Sequence, residues 1–203
     1  MKLFGSPGSP FSRKVRVVLA ERGIQYEYIV QRPSAPDSPI PQWNPLGQVP
    51  TLIRDDGRGL YDSAVIVEYL DTLGSAPRLI PEAFGERVEV KRWQALGDGV
   101  AEATVHINHE YREPKEKQRS PDWFKRQRAK IDRGLAVMEK DLGAGEFCFG
   151  GRFTLADICA GYALDYLDQA LPEVEWRAAH PALKRLHERL AKRDSFSSTL
   201  PKA

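Results

Sequence analysis

The sequence predicts two domains, a small α/β domain followed by an all-helical one, and three observations support this prediction. The first third of the chain alternates short apolar runs with helical patterns, in the order β-α-β-loop-β-β-α. A stretch of small residues and prolines, Gly74–Pro81, is typical of a domain linker. Beyond it only helical periodicity is found. The predicted boundaries are 1–76 for the first domain, 77–84 for the linker and 85–203 for the helical domain.

Short apolar runs and turn signals define the elements of the first domain. Pro10–Gly23 is predicted to be a helix, because Phe11, Val15 and Val18 recur at helical spacing after a proline that suits a first helical turn. Asp55–Gly57 is a hairpin signal between two short strands. The predicted strands are Lys2–Gly5, Tyr26–Val30, Val49–Arg54 and Gly59–Tyr61, and the second helix is Ser63–Leu73.

The second domain shows long helical patterns without strand alternation. One of them begins with the sequence Thr154–Asp157, which has the spacing of a capping box. In that motif the first and fourth side chains each accept a hydrogen bond from the other residue's backbone N–H. The predicted helices are Glu86–Tyr111, Asp122–Leu142, Thr154–Leu171 and Pro181–Arg193.

Composition narrows the function classes. The chain has 203 residues, of which 41% are hydrophobic and 29% charged, and its net charge is +2. This near-balance of charge gives no reason to expect a nucleic acid or a membrane surface as partner. Cys148 and Cys159 are 11 residues apart, without metal-ligand spacing, and are typical of reduced thiols in a cytoplasmic protein. No apolar stretch reaches transmembrane length, and a cytoplasmic location is expected.

Three segments carry a resemblance to a known family. They are Gly8–Arg16, Asn44–Leu52 and Tyr61–Ile66. In their order and spacing, and with a helical domain following them, the chain resembles the glutathione transferase superfamily over nearly its full length. Its opening, the stretch Ala95–Gly99 and the ending Asp194–Phe196 look most like the bacterial YibF-like group.

The resemblance implies a fold and an activity. The first domain would be thioredoxin-like and would bind glutathione as co-substrate, without a metal. The helical domain would form the pocket for a small hydrophobic electrophile, to which the enzyme transfers glutathione, typically in detoxification. The family's usual assembly is a homodimer. Two alternatives stay open: a non-catalytic module that binds ligands or partners, and a glutathione-dependent peroxidase or isomerase.

Ser9 is the candidate for activating the glutathione sulfur. It lies just before the first predicted helix, where free backbone N–H groups and the positive end of the helix dipole favour a thiolate. Its hydroxyl would add a charge-assisted hydrogen bond. Ser12, one turn into the helix, is the rival hydroxyl, and capping alone is the structural alternative for Ser9. Cysteine is absent here, which argues against disulfide exchange with glutathione.

Val49 and Pro50 are the candidates for binding the glutathione backbone. By resemblance, the Val49–Pro50 bond is cis, and Val49 forms main-chain hydrogen bonds with the cysteinyl residue of glutathione, as in strand addition. A strand-initiating proline is the plain alternative. Gln48, just before this pair, and Gln42 in the preceding loop are both candidates for the glycyl carboxylate.

Asp62 and Ser63 lie at a predicted strand-to-helix junction. Ser63 and the first N–H groups of the helix would bind the γ-glutamyl carboxylate, and Asp62 would bind the ammonium group. A simple helix cap is the alternative. Many relatives have Glu at the position of Asp62.

Several residues of the helical domain have a possible second role. His106 and Glu110 are four residues apart on one predicted helix, but a third metal ligand is not evident. The resemblance makes this helix, with His109, Tyr111 and Arg112, a wall of the electrophile pocket.

Asp98, on the same predicted helix, is a candidate to reach a neighbouring subunit's glutathione; an exposed helix acid is the alternative. Val90 and Trp93 are candidates either for the dimer interface or for the internal core.

Overall fold

The computed structural model describes residues 1–74 and 76–201. Ser75, within the predicted linker stretch, and residues 202–203, at the end of the predicted helical domain, lie outside this described part. The chain forms two compact units, one made of residues 1–80 with 192–203 and the other of residues 81–191.

The first unit has the predicted order of strands and helices. A four-stranded sheet has the order β2-β1-β3-β4, in which β1 is parallel to β2 and antiparallel to β3, and β3 is antiparallel to β4. The elements are β1 Lys2–Gly5, α1 Pro10–Glu21, β2 Glu27–Val30, β3 Thr51–Ile53, β4 Gly59–Leu60 and α2 Ser63–Asp71.

Alternating side chains give the sheet two buried faces. Leu3 and Leu52 pair across β1 and β3 and are fully buried. Their neighbours Phe4 and Ile53 point the other way and pack with Ile40, from a short 3₁₀ turn in the loop after β2. Residues of this loop therefore cover one face of the sheet and are held close to it.

Strand β3 is shorter than predicted. The predicted strand Val49–Arg54 reduces to Thr51–Ile53, because Pro50 has no N–H to donate to a ladder. The predicted hairpin at residues 55–57 is confirmed by the antiparallel pairing of β3 and β4. Gly59, in β4, is needed for a close approach, since a Cβ there would lie 2.3 Å from the Trp43 carbonyl oxygen.

The second unit is helical. Its elements are α3 Phe84–Glu110, α4 Pro121–Leu142, α5 Leu155–Ala170, α6 Trp176–Ala179 and α7 Pro181–Leu190. Helix α3 packs along both α4 and α5. At its crossing with α5, a Cβ on Gly97 would lie 2.4 Å from the Cys159 carbonyl oxygen. Glycine at this position therefore allows the two helices to pack closely.

The predicted capping box is confirmed at the start of α5. Thr154 Oγ1 accepts a hydrogen bond from the Ala156 N–H at 3.3 Å, and Asp157 Oδ2 accepts one from the Thr154 N–H at 2.8 Å. Its side chains are buried, and the box binds its own backbone groups.

The C-terminal segment differs from the prediction. The helical domain was expected to continue to residue 203, and its last helix to Arg193. Instead α7 ends at Leu190, and residues 192–201, including a short helix α8 (Asp194–Ser197), pack with the first unit. The cause is a set of long-range contacts to α1, which periodicity along the sequence does not encode. In the described part of the chain, no helix combines the length and apolarity that crossing a membrane requires.

Candidate functional site

Three loops converge at one end of the sheet in the first unit. Phe4 pairs with Thr51, and Leu52 pairs with Leu60, in antiparallel register. The carboxyl end of β1, the amino end of β3 and the carboxyl end of β4 therefore lie at the same end of the sheet. The residues that follow or precede these ends are 6–9, 48–50 and 61–63. They overlap the three predicted segments, which are Gly8–Arg16, Asn44–Leu52 and Tyr61–Ile66.

Ser9 lies just before α1, as the sequence predicts, and is the N-cap of this helix. Its side chain accepts a hydrogen bond from the Ser12 N–H at 3.2 Å, and its own N–H donates to the Ser6 carbonyl at 3.0 Å. A hydroxyl that accepts one hydrogen bond still has its proton to donate. Ser9 is half-buried, so its side chain is partly accessible to solvent.

Ser12 occupies a different environment. Its side chain is fully buried, and its Oγ accepts a hydrogen bond from the Ser6 N–H at 3.4 Å. The two serines thus have different roles: Ser9 caps the helix, and the buried Ser12 binds the backbone of the loop before it.

Val49 presents unpaired backbone groups. The Val49–Pro50 bond is cis, as the resemblance implies. No hydrogen bond joins the Val49 N–H or carbonyl to another described residue, whereas the preceding Gln48 carbonyl accepts two. A peptide that binds as an added strand forms backbone hydrogen bonds with the protein, so it requires an unpaired N–H and carbonyl such as these.

Asn44 and Thr51, to which the sequence assigned no individual role, hold the loop around Val49 in place. Asn44 is 1% exposed, and its Nδ2 donates to the Gln48 carbonyl and to Thr51 Oγ1, both at 3.1 Å. Thr51 Oγ1 also donates to the Gln48 carbonyl at 2.8 Å. A polar residue inside a loop that must pack on a sheet is the signal that could have indicated Asn44.

Asp62 is the N-cap of α2. Its Oδ1 accepts hydrogen bonds from the Ala64 N–H at 2.9 Å and the Val65 N–H at 3.4 Å. The carboxylate is exposed, and Oδ2 is left over from capping. Ser63 follows it as the first helical residue and is 5% exposed, and no described residue bonds its hydroxyl. The peptide bond between Tyr61 and Asp62 is cis.

The two candidate glutamines lie on the surface. Gln48 and Gln42 are both exposed, Gln48 beside Val49 and Gln42 at the end of the 3₁₀ turn. The contacts of the two side chains favour neither glutamine over the other as the residue that binds the glycyl carboxylate.

The candidates near the end of α3 form contacts within the helical unit. His106 is exposed, with its ring centroid 6.5 Å from that of Trp123. Glu110 accepts a hydrogen bond from the Arg119 N–H at 3.0 Å. Burial, with charge from Arg112 and His106, lowers the pKa of His109.

Tyr111 is 54% exposed and stacks on Phe124 at 5.5 Å. It adds an aromatic surface at the end of α3. No group of three or more metal-ligating side chains is found among residues 1–74 and 76–201.

Asp98 and the two interface candidates have internal contacts. Asp98 is half-buried and accepts a hydrogen bond from the Tyr162 hydroxyl at 2.5 Å, and burial holds the pKa of that phenol well above its usual range. Val90 and Trp93 are 0% and 1% exposed, which places both in the core of the helical unit. Of the two roles open for them, the structure selects the core.

The family models identify the chain. Residues 3–78 match the glutathione S-transferase N-terminal domain, and residues 121–189 match the glutathione S-transferase C-terminal domain. A mixed four-stranded sheet followed by a helical unit is the fold of this class. The chain therefore belongs to the glutathione S-transferase family.

Two bacterial proteins are among its relatives. It is 37% identical to the "Uncharacterized GST-like protein YibF" of Escherichia coli, over 99% of this chain and 98% of that protein. It is 34% identical to a "Probable maleylacetoacetate isomerase" of Vibrio cholerae, over 78% of this chain and 73% of that protein.

Among solved structures, a glutathione S-transferase from Methylobacillus flagellatus with glutathione bound is 40% identical, with a TM-score of 0.95 and 99% of both chains covered. A Pseudomonas fluorescens family member with bound S-(propanoic acid)-glutathione is 36% identical, with a TM-score of 0.88 and 99% of both chains covered.

Proposed function

We propose that this protein is a glutathione transferase that binds glutathione at the converging loops of the first unit and stabilises its thiolate for attack on a small hydrophobic electrophile. One observation carries the proposal: the half-buried Ser9 caps α1 while keeping a hydroxyl proton to donate. Helix N–H groups and this hydroxyl together would lower the pKa of a thiol. Ser9 therefore acts on the sulfur of bound glutathione and is not itself a nucleophile.

The burial of Ser12 supports Ser9 as the residue at the sulfur. A fully buried hydroxyl that already accepts from the Ser6 N–H is poorly placed to meet a ligand. We assign to Ser12 the role of holding the loop that carries Ser9.

The other groups at this end of the sheet are suited to bind the remaining parts of glutathione. The free N–H and carbonyl of Val49 would pair with the cysteinyl residue, with cis Pro50 fixing their direction. Asp62 would bind the ammonium group through the oxygen that capping leaves over. Ser63 would donate its hydroxyl to the γ-glutamyl carboxylate, and Gln48 or Gln42 would bind the glycyl carboxylate.

The relatives support glutathione as co-substrate. The glutathione bound to the M. flagellatus protein and the S-substituted glutathione bound to the P. fluorescens protein are a substrate and a conjugate of the proposed reaction. We place the electrophile pocket in the helical unit, with Tyr111 and His106 among its candidates, and expect a homodimer. The thiols of Cys148 and Cys159, which are both buried, support a reducing, cytoplasmic location and a role in detoxification there.

A second candidate function is glutathione-dependent isomerisation. The relative named as a maleylacetoacetate isomerase favours it. In that reaction the thiolate adds to the substrate and leaves again, so the same Ser9 site would serve. Turnover of maleylacetoacetate, with glutathione regenerated, separates isomerisation from conjugation.

The test uses the parent and Ser9→Ala. Glutathione added to the parent is expected to give ultraviolet thiolate absorbance and conjugation on a panel of electrophiles. Ser9→Ala is expected to lose about 10- to 100-fold in kcat/KM, the equivalent of one charge-assisted hydrogen bond.

Ser9→Gly separates the two roles of Ser9, because glycine caps a helix nearly as well as serine but has no hydroxyl. It is expected to lose activity like Ser9→Ala with little loss of stability. Equal conjugation by parent and Ser9→Ala would overturn the assigned role. Glutathione binding without turnover of any electrophile would favour a binding module.

A further inference from the structure

The C-terminal segment of the chain binds the helix that carries Ser9. Glu21, the last residue of α1, forms a two-point ion pair with Arg193, whose Nε and Nη2 each donate to one carboxylate oxygen at 2.8 Å. Ser195 Oγ donates to the same carboxylate at 2.5 Å. Although burial raises the pKa of Glu21, these contacts outweigh it and leave that pKa lowered.

The same segment also binds the first half of α1. Arg13 Nη2 donates to the Phe196 carbonyl at 3.3 Å, and its guanidinium lies 5.7 Å from the centre of the Phe196 ring. Phe196 is 2% exposed. Arg16 Nη1 donates to the Thr199 carbonyl at 3.1 Å. These hydrogen bonds join arginine side chains of α1 to backbone carbonyls 183 residues away in the sequence.

The contacts extend along the whole helix. Arg13 lies one turn after Ser9 and its N–H donates to the Ser9 carbonyl at 3.1 Å, whereas Glu21 lies in the last turn. Other residues of α1, such as Val15 and Val18, are fully buried among the apolar residues of the unit. Helix α1 is thus held by apolar packing and, at both ends, by the C-terminal segment.

We propose that Glu21, Arg193 and Phe196 are positioning residues for the thiolate site, acting through α1 on Ser9. The proposal rests on the proposed function. A charge-assisted hydrogen bond to the sulfur weakens steeply as its distance and angle change. A small displacement of α1 would therefore lower the fraction of bound glutathione that is ionised, while the backbone contacts at Val49, on a different loop, would keep most of the binding.

Three variants separate positioning from simple stabilisation. Glu21→Gln removes the ion pair, and Phe196→Ala removes the buried ring. Asp168→Asn is the matched control, because Asp168 also binds an arginine, Arg177, through both oxygens and accepts a further bond from Trp176 Nε1 at 2.8 Å. Asp168 belongs to the helical unit, whereas α1 belongs to the first unit.

The first measurement is thiolate absorbance of bound glutathione across pH, with Tm and glutathione Kd. At a pH below the thiol pKa, Glu21→Gln and Phe196→Ala are expected to show roughly threefold to tenfold less thiolate. Their Kd is expected to stay within about twofold of the parent. Asp168→Asn is expected to lower Tm with an unchanged thiolate titration.

The second measurement needs no ligand. Backbone amides of α1 are expected to exchange hydrogen faster in Glu21→Gln than in the parent or in Asp168→Asn. A thiolate titration unchanged from the parent in both Glu21→Gln and Phe196→Ala, together with a lower Tm, would overturn the positioning role. A parent that does not bind glutathione would instead contradict the proposed function itself, and that result is visible before any variant is made.

Discussion

The N-termini of helices α1 and α2 lie at the same end of the sheet in the first unit, and the two helices differ in their N-cap residues. Helix α1 is capped by the neutral Ser9, whose oxygen accepts one N–H. Helix α2 is capped by Asp62, whose carboxylate accepts two. A carboxylate neutralises the positive end of a helix, whereas a serine leaves it available to an external anion. Under the proposed function, this difference supports binding of the sulfur at α1 and of the ammonium group at α2.

Helix α5 shows what a closed N-terminus looks like. Thr154 and Asp157 bind each other's backbone groups, and both are fully buried. Such an end has no group left for a ligand. Open and closed caps built from similar residue types are therefore distinguished by exposure and by which hydrogen-bonding groups remain.

The largest effect is expected when the N-cap serine of α1 is replaced by aspartate, the residue type that caps α2. Ser9→Asp is expected to lower kcat/KM by at least about 100-fold, since a carboxylate replaces the hydroxyl donor and repels the thiolate. Asp is a good N-cap, so Tm is expected to stay equal or rise. Steady-state kinetics and thermal unfolding check this. A Ser9→Asp enzyme that remains fully active would mean that the sulfur binds elsewhere.

A smaller effect is expected at α2. Asp62→Asn keeps the cap but removes the charge, and because Asp62 is exposed, the loss in glutathione affinity is expected to be about threefold to fivefold. Titration calorimetry measures it. The matched control is glutathione lacking its amino group, for which parent and Asp62→Asn are expected to bind alike. A variant that weakens both ligands equally would contradict the ammonium contact.

The smallest effect on activity is expected at Ser12. Ser12→Ala removes a buried hydroxyl that accepts from Ser6, so the free energy of unfolding is expected to fall by about 1 kcal/mol. The conjugation rate is expected to stay within about threefold. Chemical denaturation and kinetics together decide the case. Loss of thiolate absorbance as large as in Ser9→Ala would make Ser12 the residue at the sulfur.

Local features of the chain were predictable from the sequence because their physics is local. Ser9 as a cap, the box at Thr154 and the hairpin at residues 55–57 each depend on residues within one turn of each other. The cis bond before Pro50 and the three binding segments were predicted from the family resemblance, whereas the order of strands and helices was predicted from the patterns along the chain.

Tertiary structure decided what depends on distant partners. Ser9 and Ser12 are equivalent hydroxyls in the sequence, and only the packing of the unit buries one of them. The C-terminal segment belongs to the first unit because Glu21 and Arg13 bind it across more than 170 residues. Caps and turns are encoded by neighbours in the chain, but burial and long-range pairing are set by packing. The sequence by itself therefore determined where the candidate groups lie along the chain, and the fold alone decided which of them remain free to meet a ligand.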